Sequence, residues 1–236
     1  MKPAIKVLGV PDDINSSFMR GSSAAPPLIR EALYSASSNL FSESGLNLDQ
    51  KGIWEDLGDI EFAGQVAVEN FKKIKTFVKD VLVSDQKLVS LGGDHSVSWP
   101  ILDAHLDKWD ALDILHIDAH PDLYDSLLGN KLSHASPFAR IMETGRASRL
   151  VQVGIRTLNK HQREQAEKFG VEIYQMKDLT KLSSLSFSKP VYCSIDIDAL
   201  DPAYAPGVSH FEPGGLSTRQ LIDCLNGFKG RLIGAD

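Results

Sequence analysis

The clearest shortage in this sequence is cysteine, which occurs only at Cys193 and Cys224 among 236 residues. Two thiols are too few for the disulfide framework of a small secreted protein. We therefore expect both cysteines to serve packing.

Long apolar runs are missing as well. The longest of them fall far short of the roughly 20 residues that a membrane-spanning helix needs. The first residues, MKPAIKVLGVPDD, contain no apolar signal core and too many acids for a transit peptide. The sequence therefore predicts a cytoplasmic protein without a membrane partner.

Clusters of basic residues are also absent, and the formal net charge is −6. Nucleic acids and anionic membranes attract basic patches, so neither is expected as the main partner. An acidic chain suits a small cationic substrate.

Short apolar runs rich in β-branched residues alternate with amphipathic segments of helical periodicity. Such runs are typical of strands that a parallel sheet buries on both faces. Their alternation with helices predicts an α/β fold of one domain, whose functional groups lie beyond the carboxyl ends of the strands. The predicted strands are IKVLGV near residue 5, KLVSLGG near 87, LDILHIDAH near 112, RLVQVGIR near 149, VEIYQM near 171, PVYCSIDID near 190 and RLIGAD at the end.

Two similar stretches, DAHLD from Asp103 and DAHPD from Asp118, differ in their context. DAHPD follows the apolar run LDILHI, so Asp118, His120 and Asp122 would converge on one side of the chain at a strand end. DAHLD lies in a segment whose tryptophans and leucines recur at helical spacing, where Asp103 and His105 would point apart. Only DAHPD is therefore a candidate site, and DAHLD is predicted to be a solvated helix face.

Two further predicted strands end in metal-binding residue types. SIDIDALDP places Asp196 and Asp198 on one side of a strand end, and LGGDHS places His95 beyond two glycines that allow a tight turn. Carboxylates buried side by side need cations, since otherwise they repel one another and take up protons.

The candidate ligands are four carboxylates and two imidazoles, without a thiolate. This set favours manganese over zinc and is too rich in nitrogen for calcium. Six side chains exceed what one ion usually takes, whereas two ions about 3.5–4 Å apart can share bridging carboxylates and activate a water. The predicted cofactor is therefore a pair of Mn²⁺ ions.

The motifs GGDHS, DAHPD and SIDIDALDP, in this order, resemble the ureohydrolase family of arginases and agmatinases. The resemblance covers nearly the whole chain and is strongest to the plant-type arginases and the related agmatinase branch. It implies hydrolysis of a guanidino compound to urea and an amine. It also implies a three-layer α/β/α sandwich with a central, mainly parallel sheet, and assembly into homo-trimers or hexamers.

The resemblance further implies a binuclear manganese site in which Asp118 and Asp196 are the bridging, catalytic carboxylates. The ligands would be His95, Asp118, Asp122 and Asp196 for one ion, and Asp118, His120, Asp196 and Asp198 for the other.

The other histidines are assigned different roles. His134, in KLSHASPF, matches the family's catalytic histidine, which is thought to shuttle protons. His116 lies within a predicted strand and is expected to be a satisfied core histidine. His105 and His161 are expected to be exposed on helices. His210, on the loop after the third metal motif, is a weaker candidate to line the pocket.

Family members continue after the strand ending in GAD with a segment that carries a substrate-binding glutamate and a final helix. This sequence ends at Asp236. Residues 1–236 are therefore expected to form a single ureohydrolase domain that lacks the family's C-terminal segment.

The expected substrate is L-arginine or agmatine. Animal-type arginases carry acidic residues in two loops that here read LYDSLLGNKLSH and TLNKHQ, without the same acids. The missing acids would indicate agmatine, but the plant-type arginases have similar loop sequences and act on arginine, so arginine is slightly favoured. Guanidinobutyrate and formiminoglutamate are alternative substrates.

Three other classes of protein compete with this interpretation. A zinc deacetylase has a related fold but needs one ion. A binuclear phosphatase would need phosphate-binding arginines or a glycine-rich loop, which the sequence does not place near the motifs. A non-catalytic, metal-binding oligomer subunit would typically have lost ligands.

Overall fold

The computed structural model describes residues 4–64, 66–179 and 185–236. Within them, eight strands form one sheet in the order β2-β1-β3-β8-β7-β4-β5-β6, and each pair of neighbours is parallel. The strands are β1 (Ile5–Val10), β2 (Trp54–Asp59), β3 (Lys87–Gly92), β4 (Leu112–Ile117), β5 (Ala147–Ile155), β6 (Glu172–Gln175), β7 (Ser186–Ile195) and β8 (Lys229–Ala235).

Helices connect most of these strands, and their ends follow sequence signals. Helix α1 begins with prolines, α5 ends at Gly170 in the left-handed conformation, and α6 is opened by a capping box at Ser217. The helices are α1 (Ala25–Leu33), α2 (Ala67–Leu82), α3 (Ser98–Lys108), α4 (Pro137–Glu143), α5 (Lys160–Phe169) and α6 (Thr218–Gly227).

Strand β4 shows how the sheet divides the core into two layers. All six of its residues are buried, and successive side chains point to opposite faces. Ile114 packs in the core that contains α2 and α3, whereas Leu115 packs in the core that contains α6. The prediction of a three-layer α/β/α sandwich around a parallel sheet is confirmed.

Helix α3 contains DAHLD as predicted, but His105 is fully buried and not exposed. Its Nδ1 donates a hydrogen bond to the Ile101 carbonyl at 2.8 Å, and its ring packs against Trp109 and Tyr192. Burial lowers the pKa of His105 to about 4, so the ring is neutral. The prediction was wrong because His105 lies four residues after Ile101, on the apolar face of the helix.

The acids of DAHLD lie on the outer side of α3, away from the candidate site. Asp103 and Asp107 form ion pairs with Lys75 of α2 at 2.6 and 3.1 Å, and both also pair with Arg146. His161, on α5, is exposed as predicted. Across the described residues, no helix combines the length and apolarity that a membrane span requires.

Candidate metal centre

The candidate site lies where neighbouring central strands end. Strands β3, β8, β7 and β4 are adjacent in the sheet and run in the same direction, so their carboxyl ends meet at one edge. His95 follows β3, Asp118 follows β4 and Asp196 follows β7. The topology thus brings together residues that are far apart in the sequence.

One group of predicted ligands surrounds Nδ1 of His95. The nearest oxygens are Oδ2 of Asp122 at 2.9 Å, Oδ2 of Asp118 at 3.1 Å and Oδ2 of Asp196 at 3.2 Å. Although these oxygens are so near, the buried Nδ1 makes no hydrogen bond to any described residue. Polar atoms that converge in this way are better satisfied by a cation than by one another.

A second group surrounds Nδ1 of His120. Oδ2 of Asp198 lies 3.1 Å from this nitrogen, and Oδ1 of Asp118 lies 3.4 Å from it. Asp118 therefore faces both histidines, with one oxygen toward each. The structure brings all six predicted ligands together in two groups that share Asp118. Oxygen and imidazole donors without a thiolate fit Mn²⁺ or a similar divalent cation.

The two groups hold protons when no cation balances their charge. Burial, together with the charges of Asp196 and Asp118, raises the pKa of Asp198 to about 8. Burial acts to lower the pKa of His120, but the carboxylates of Asp118 and Asp198 raise it to about 12. Metal ligands must be deprotonated, so a cation that binds here would replace these protons.

The backbone of DAHPD fixes its carboxylates. Asp118 N donates to the Val153 carbonyl of β5 at 3.0 Å, and Oδ1 of Asp118 accepts from His120 N at 2.6 Å. Asp122 has a left-handed conformation, with φ of 49°, which aspartate tolerates better than most residues do. This turn brings its carboxylate to His95.

Asp94 fixes the turn that carries His95. Its Oδ1 accepts from Ser96 N at 2.9 Å, and its Oδ2 accepts from Asn15 N at 3.0 Å and from Ser16 Oγ at 3.1 Å. The carboxylate therefore joins the loop after β1 to the loop after β3. This role could not be predicted from the sequence, because the two loops are distant along the chain.

His116 is a buried and satisfied core histidine, as predicted, but its partners belong to the site. Its Nε2 lies 2.8 Å from Oδ2 of Asp118, and its Nδ1 lies 3.0 Å from Nε2 of Gln152. Gln152 Nε2 also donates to the Pro121 carbonyl at 2.6 Å. The Pro121 carbonyl can only accept a hydrogen bond, so the side chain of Gln152 must turn its Nε2 toward it. The same Nε2 then faces His116 Nδ1. His116 Nδ1 therefore accepts, and its Nε2 donates to Asp118.

The predicted proton shuttle, His134, lies at the rim of the site. Its Nε2 is 2.8 Å from Ser17 Oγ, and its ring stacks on His210 with 5.6 Å between centroids. The His210 ring lies 5.5 Å from that of His120, so His210 does face the site. Burial lowers the pKa of His210, which favours its neutral form. Sequence reasoning missed Ser17, which a different loop supplies.

Arg156, which follows β5, organises the loop after β7. Its Nη2 donates to the carbonyls of Asp198 and Glu212, each at 2.7 Å. The loop places Oε1 of Glu212 3.7 Å from Nε2 of His120. Sequence reasoning missed both residues, because the bonds that hold the loop go to main-chain carbonyls, which carry no sequence signal.

Comparisons with known proteins show which family this chain belongs to. The Arginase family model matches residues 3–236. "Arginase 1, mitochondrial" of Oryza sativa subsp. indica is 46% identical over 250 residues, covering 100% of this chain and 74% of that protein. An agmatinase of Bacillus cereus is 33% identical over 241 residues, covering 98% and 81%. The solved structure of arginase from Medicago truncatula has a TM-score of 0.94 and 44% identity, covering 99% of this chain and 78% of that one.

The names of the plant relatives correct the prediction of a cytoplasmic protein. Arginases of Oryza sativa, Arabidopsis thaliana and Medicago truncatula are named mitochondrial or chloroplastic/mitochondrial. These names contradict a cytoplasmic location and point to an organelle. The prediction rested on the composition of MKPAIKVLGVPDD, yet this segment contains β1. Its composition is that of a strand in the sheet, so it does not indicate the cellular compartment.

Proposed function

This chain belongs to the arginase family, and from that premise we propose that it hydrolyses L-arginine or agmatine to urea and an amine with two Mn²⁺ ions. As a member it is a ureohydrolase, which acts on carbon–nitrogen bonds of linear amidines. The observation that carries the proposal is the pair of ligand groups around His95 and His120, which share Asp118. A deacetylase-like site for one ion would leave one histidine without a cation.

The proposed ligand sets correspond to the two groups of side chains around His95 and His120. One ion would be held by His95, Asp118, Asp122 and Asp196, and the other by Asp118, His120, Asp196 and Asp198. When bound, the ions would supply an activated water and offset the charge that builds up as water adds to the guanidino carbon. Asp118 and Asp196 would act as the bridging carboxylates.

His134 is proposed to move the proton that the reaction requires. Water adds to the guanidino carbon, a carbon–nitrogen bond breaks, and the leaving nitrogen takes up a proton. An imidazole at the rim of the site can deliver that proton. The Ser17 hydroxyl, 2.8 Å from Nε2 of His134, would hold the ring in position for the transfer.

The sequence identities of the relatives favour arginine over agmatine as the proposed substrate. The arginase of Oryza sativa is 46% identical to this chain and the agmatinase of Bacillus cereus 33%. Arginine is therefore the preferred substrate of this proposal. The acidic edge of the sheet suits the cationic guanidinium that both compounds carry.

Residues 1–236 are proposed to act as one ureohydrolase domain within a homo-trimer or homo-hexamer. The single continuous sheet supports one domain.

The proposal is tested by urea release from the manganese-loaded protein with L-arginine and agmatine side by side. His134→Asn should lower kcat by roughly 10²-fold or more without loss of bound metal. His161→Asn is the matched control, because His161 is exposed on α5; it should retain the unaltered activity. Two bound ions without urea from either substrate would disprove the proposed reaction.

A further inference from the structure

A chain of buried hydrogen bonds runs behind His95, on the side away from the carboxylates. Its Nε2 lies 3.0 Å from Ser194 Oγ, and that hydroxyl lies 2.6 Å from Oδ1 of Asp236. The same carboxylate accepts from Ser98 Oγ at 2.9 Å and, through Oδ2, from Tyr192 Oη at 2.7 Å. Ser98, Tyr192 and Ser194 are fully buried, so water does not compete for these bonds.

The direction of each bond follows from the groups involved. A carboxylate only accepts hydrogen bonds, and a serine hydroxyl has one hydrogen to give. Ser194 must therefore donate to Asp236, and its oxygen must accept from Nε2 of His95. Consequently the proton of a neutral His95 ring lies on Nε2, and Nδ1 presents a lone pair to the ligand group.

The sheet fixes the acceptor at the required place. Asp236 directly follows β8, which lies between β3 and β7. Its main chain continues the ladder with β7: Asp236 N donates to the Cys193 carbonyl at 3.0 Å, and Ile195 N donates to the Asp236 carbonyl at 2.9 Å. The carboxylate is thus held by backbone bonds as well as by three hydroxyl groups.

We infer that Asp236 is a positioning residue for the metal centre, which through Ser194 keeps the His95 proton on Nε2 and leaves Nδ1 free to bind a cation. This role rests on the proposed function. Without the acceptor, Ser194 is free to donate to Nε2, and the ring proton then moves to Nδ1. Three carboxylate oxygens lie 2.9 to 3.2 Å from Nδ1, so they would stabilise a proton there, in competition with the cation.

The test compares Mn²⁺ binding by the unaltered chain, Asp236→Ala and Ser194→Ala, using calorimetric titration and electron paramagnetic resonance. Alanine is used at position 236 because an asparagine would keep an amide oxygen that can still accept from Ser194. The unaltered protein should bind two ions and show the spectrum of a coupled pair. Metal-ligating histidines that lose such a partner typically lose roughly 10- to 100-fold in metal affinity. In both variants, the affinity for one of the two ions should fall by this factor. At two equivalents of Mn²⁺, both variants should show the paramagnetic resonance spectrum of isolated ions.

Tyr192→Phe is the matched control, since it removes a hydrogen bond from the same carboxylate but leaves the path through Ser194 intact. It should keep both affinities within about threefold, well below the loss expected for a direct partner. Equal losses in Tyr192→Phe and Asp236→Ala, or two unchanged affinities in both Asp236→Ala and Ser194→Ala, would overturn the inference and leave the proposed function standing. Fewer than two ions in the unaltered protein would overturn both. Ser194→Ala removes only a hydroxyl, so it decides the question if Asp236→Ala fails to fold.

Discussion

Asp118 is a buried carboxylate whose negative charge has to be balanced by neighbouring groups. It is fully buried, its Oδ2 lies 3.1 Å from Nδ1 of His95 and 2.8 Å from Nε2 of His116, and its Oδ1 accepts from the His120 amide. Around it lie further carboxylates whose burial is unfavourable unless cations or protons balance their charge. In the proposed metal centre, protons and metal ions would therefore compete for the same atoms.

This competition predicts that Mn²⁺ binding releases protons and strengthens as the pH rises. Burial, with Asp196 and Asp118, raises the pKa of Asp198 to about 8, so below this pH its carboxyl carries a proton that the ion must displace. Each displaced proton should raise the apparent affinity about tenfold per pH unit. Titration calorimetry at pH 6 to 8, in buffers of different ionisation enthalpy, measures both effects. An affinity that does not change over this range would contradict the electrostatic account.

Gln152 should matter for metal binding although it touches no ion. In Gln152→Leu, Nδ1 of His116 loses its donor and the Pro121 carbonyl loses its partner, so His116 no longer holds Asp118 in one orientation. We expect Mn²⁺ affinity to fall roughly 10-fold or more and the free energy of unfolding to fall by about 1–3 kcal/mol.

Gln165→Leu is the control for this change, because Gln165 is also buried but lies on α5, where its Nε2 has no hydrogen bond to a described residue. It should leave metal affinity unchanged. Equal effects of the two substitutions on metal affinity would show that Gln152 acts through general packing.

Residues such as Asp118 and Asp196 could be predicted from sequence because each directly follows an apolar strand within a short motif. Gln152 and Arg156 could not be predicted in this way. They lie on or after β5, and only the pairing of β5 with β4 brings Gln152 beside His116. A sequence reveals candidate ligands that are adjacent to one another in the chain, whereas their hydrogen-bonding partners depend on the order of strands.

At the scale of an element, β5 shapes the neighbouring DAHPD strand end through Gly154. This glycine has φ of +94°, and a Cβ atom there would lie 3.0 Å from the Asp118 carbonyl oxygen. The register between β5 and β6 shifts at the same point, between Val153 and Ile155. The irregularity lets β5 pass close to Asp118, an approach that only glycine permits at this backbone conformation.

Gly154→Ala should therefore destabilise the fold and disturb the site together. We expect the free energy of unfolding, measured by urea denaturation, to fall by about 1–3 kcal/mol because alanine is strained in this backbone conformation. The affinity for Mn²⁺ should fall as well. Gly227→Ala is the control, since Gly227 ends α6 without a positive φ and with open space at its Cβ position. Unchanged stability of Gly154→Ala would refute the argument from close approach.

Elements were easier to predict than the environment of individual side chains. Helix α3 follows from the spacing of its apolar residues, yet the same spacing also buries His105, which sequence reasoning had treated as polar and exposed. A neutral imidazole that donates to a main-chain carbonyl packs like an apolar side chain. Its protonation state depends on the sheet beneath it, which the local sequence does not show.

At the scale of the whole molecule, the alternation of strands and helices predicted the parallel sheet and its covered faces, but not the strand order. Strand β8 comes last in the sequence and is inserted between β3 and β7. This insertion places Asp236 behind His95. Strand order depends on contacts between residues that are far apart along the chain, which periodicity does not encode.

The proposed homo-oligomer is a prediction for the whole molecule. Analytical ultracentrifugation of the purified chain should give a mass of three or six times 25.9 kDa. A mass of one protomer at all concentrations would contradict the proposed assembly. It would leave the metal centre unaffected, because the six proposed ligands all come from one chain.

The central claim is that six side chains at the carboxyl edge of the sheet hold two cations. Anomalous diffraction at the manganese edge, on crystals grown with Mn²⁺, tests it most directly. The account predicts two peaks about 3.5–4 Å apart, one beside Nδ1 of His95 and one beside Nδ1 of His120, with Asp118 between them. A single peak, or peaks away from these histidines, would contradict it.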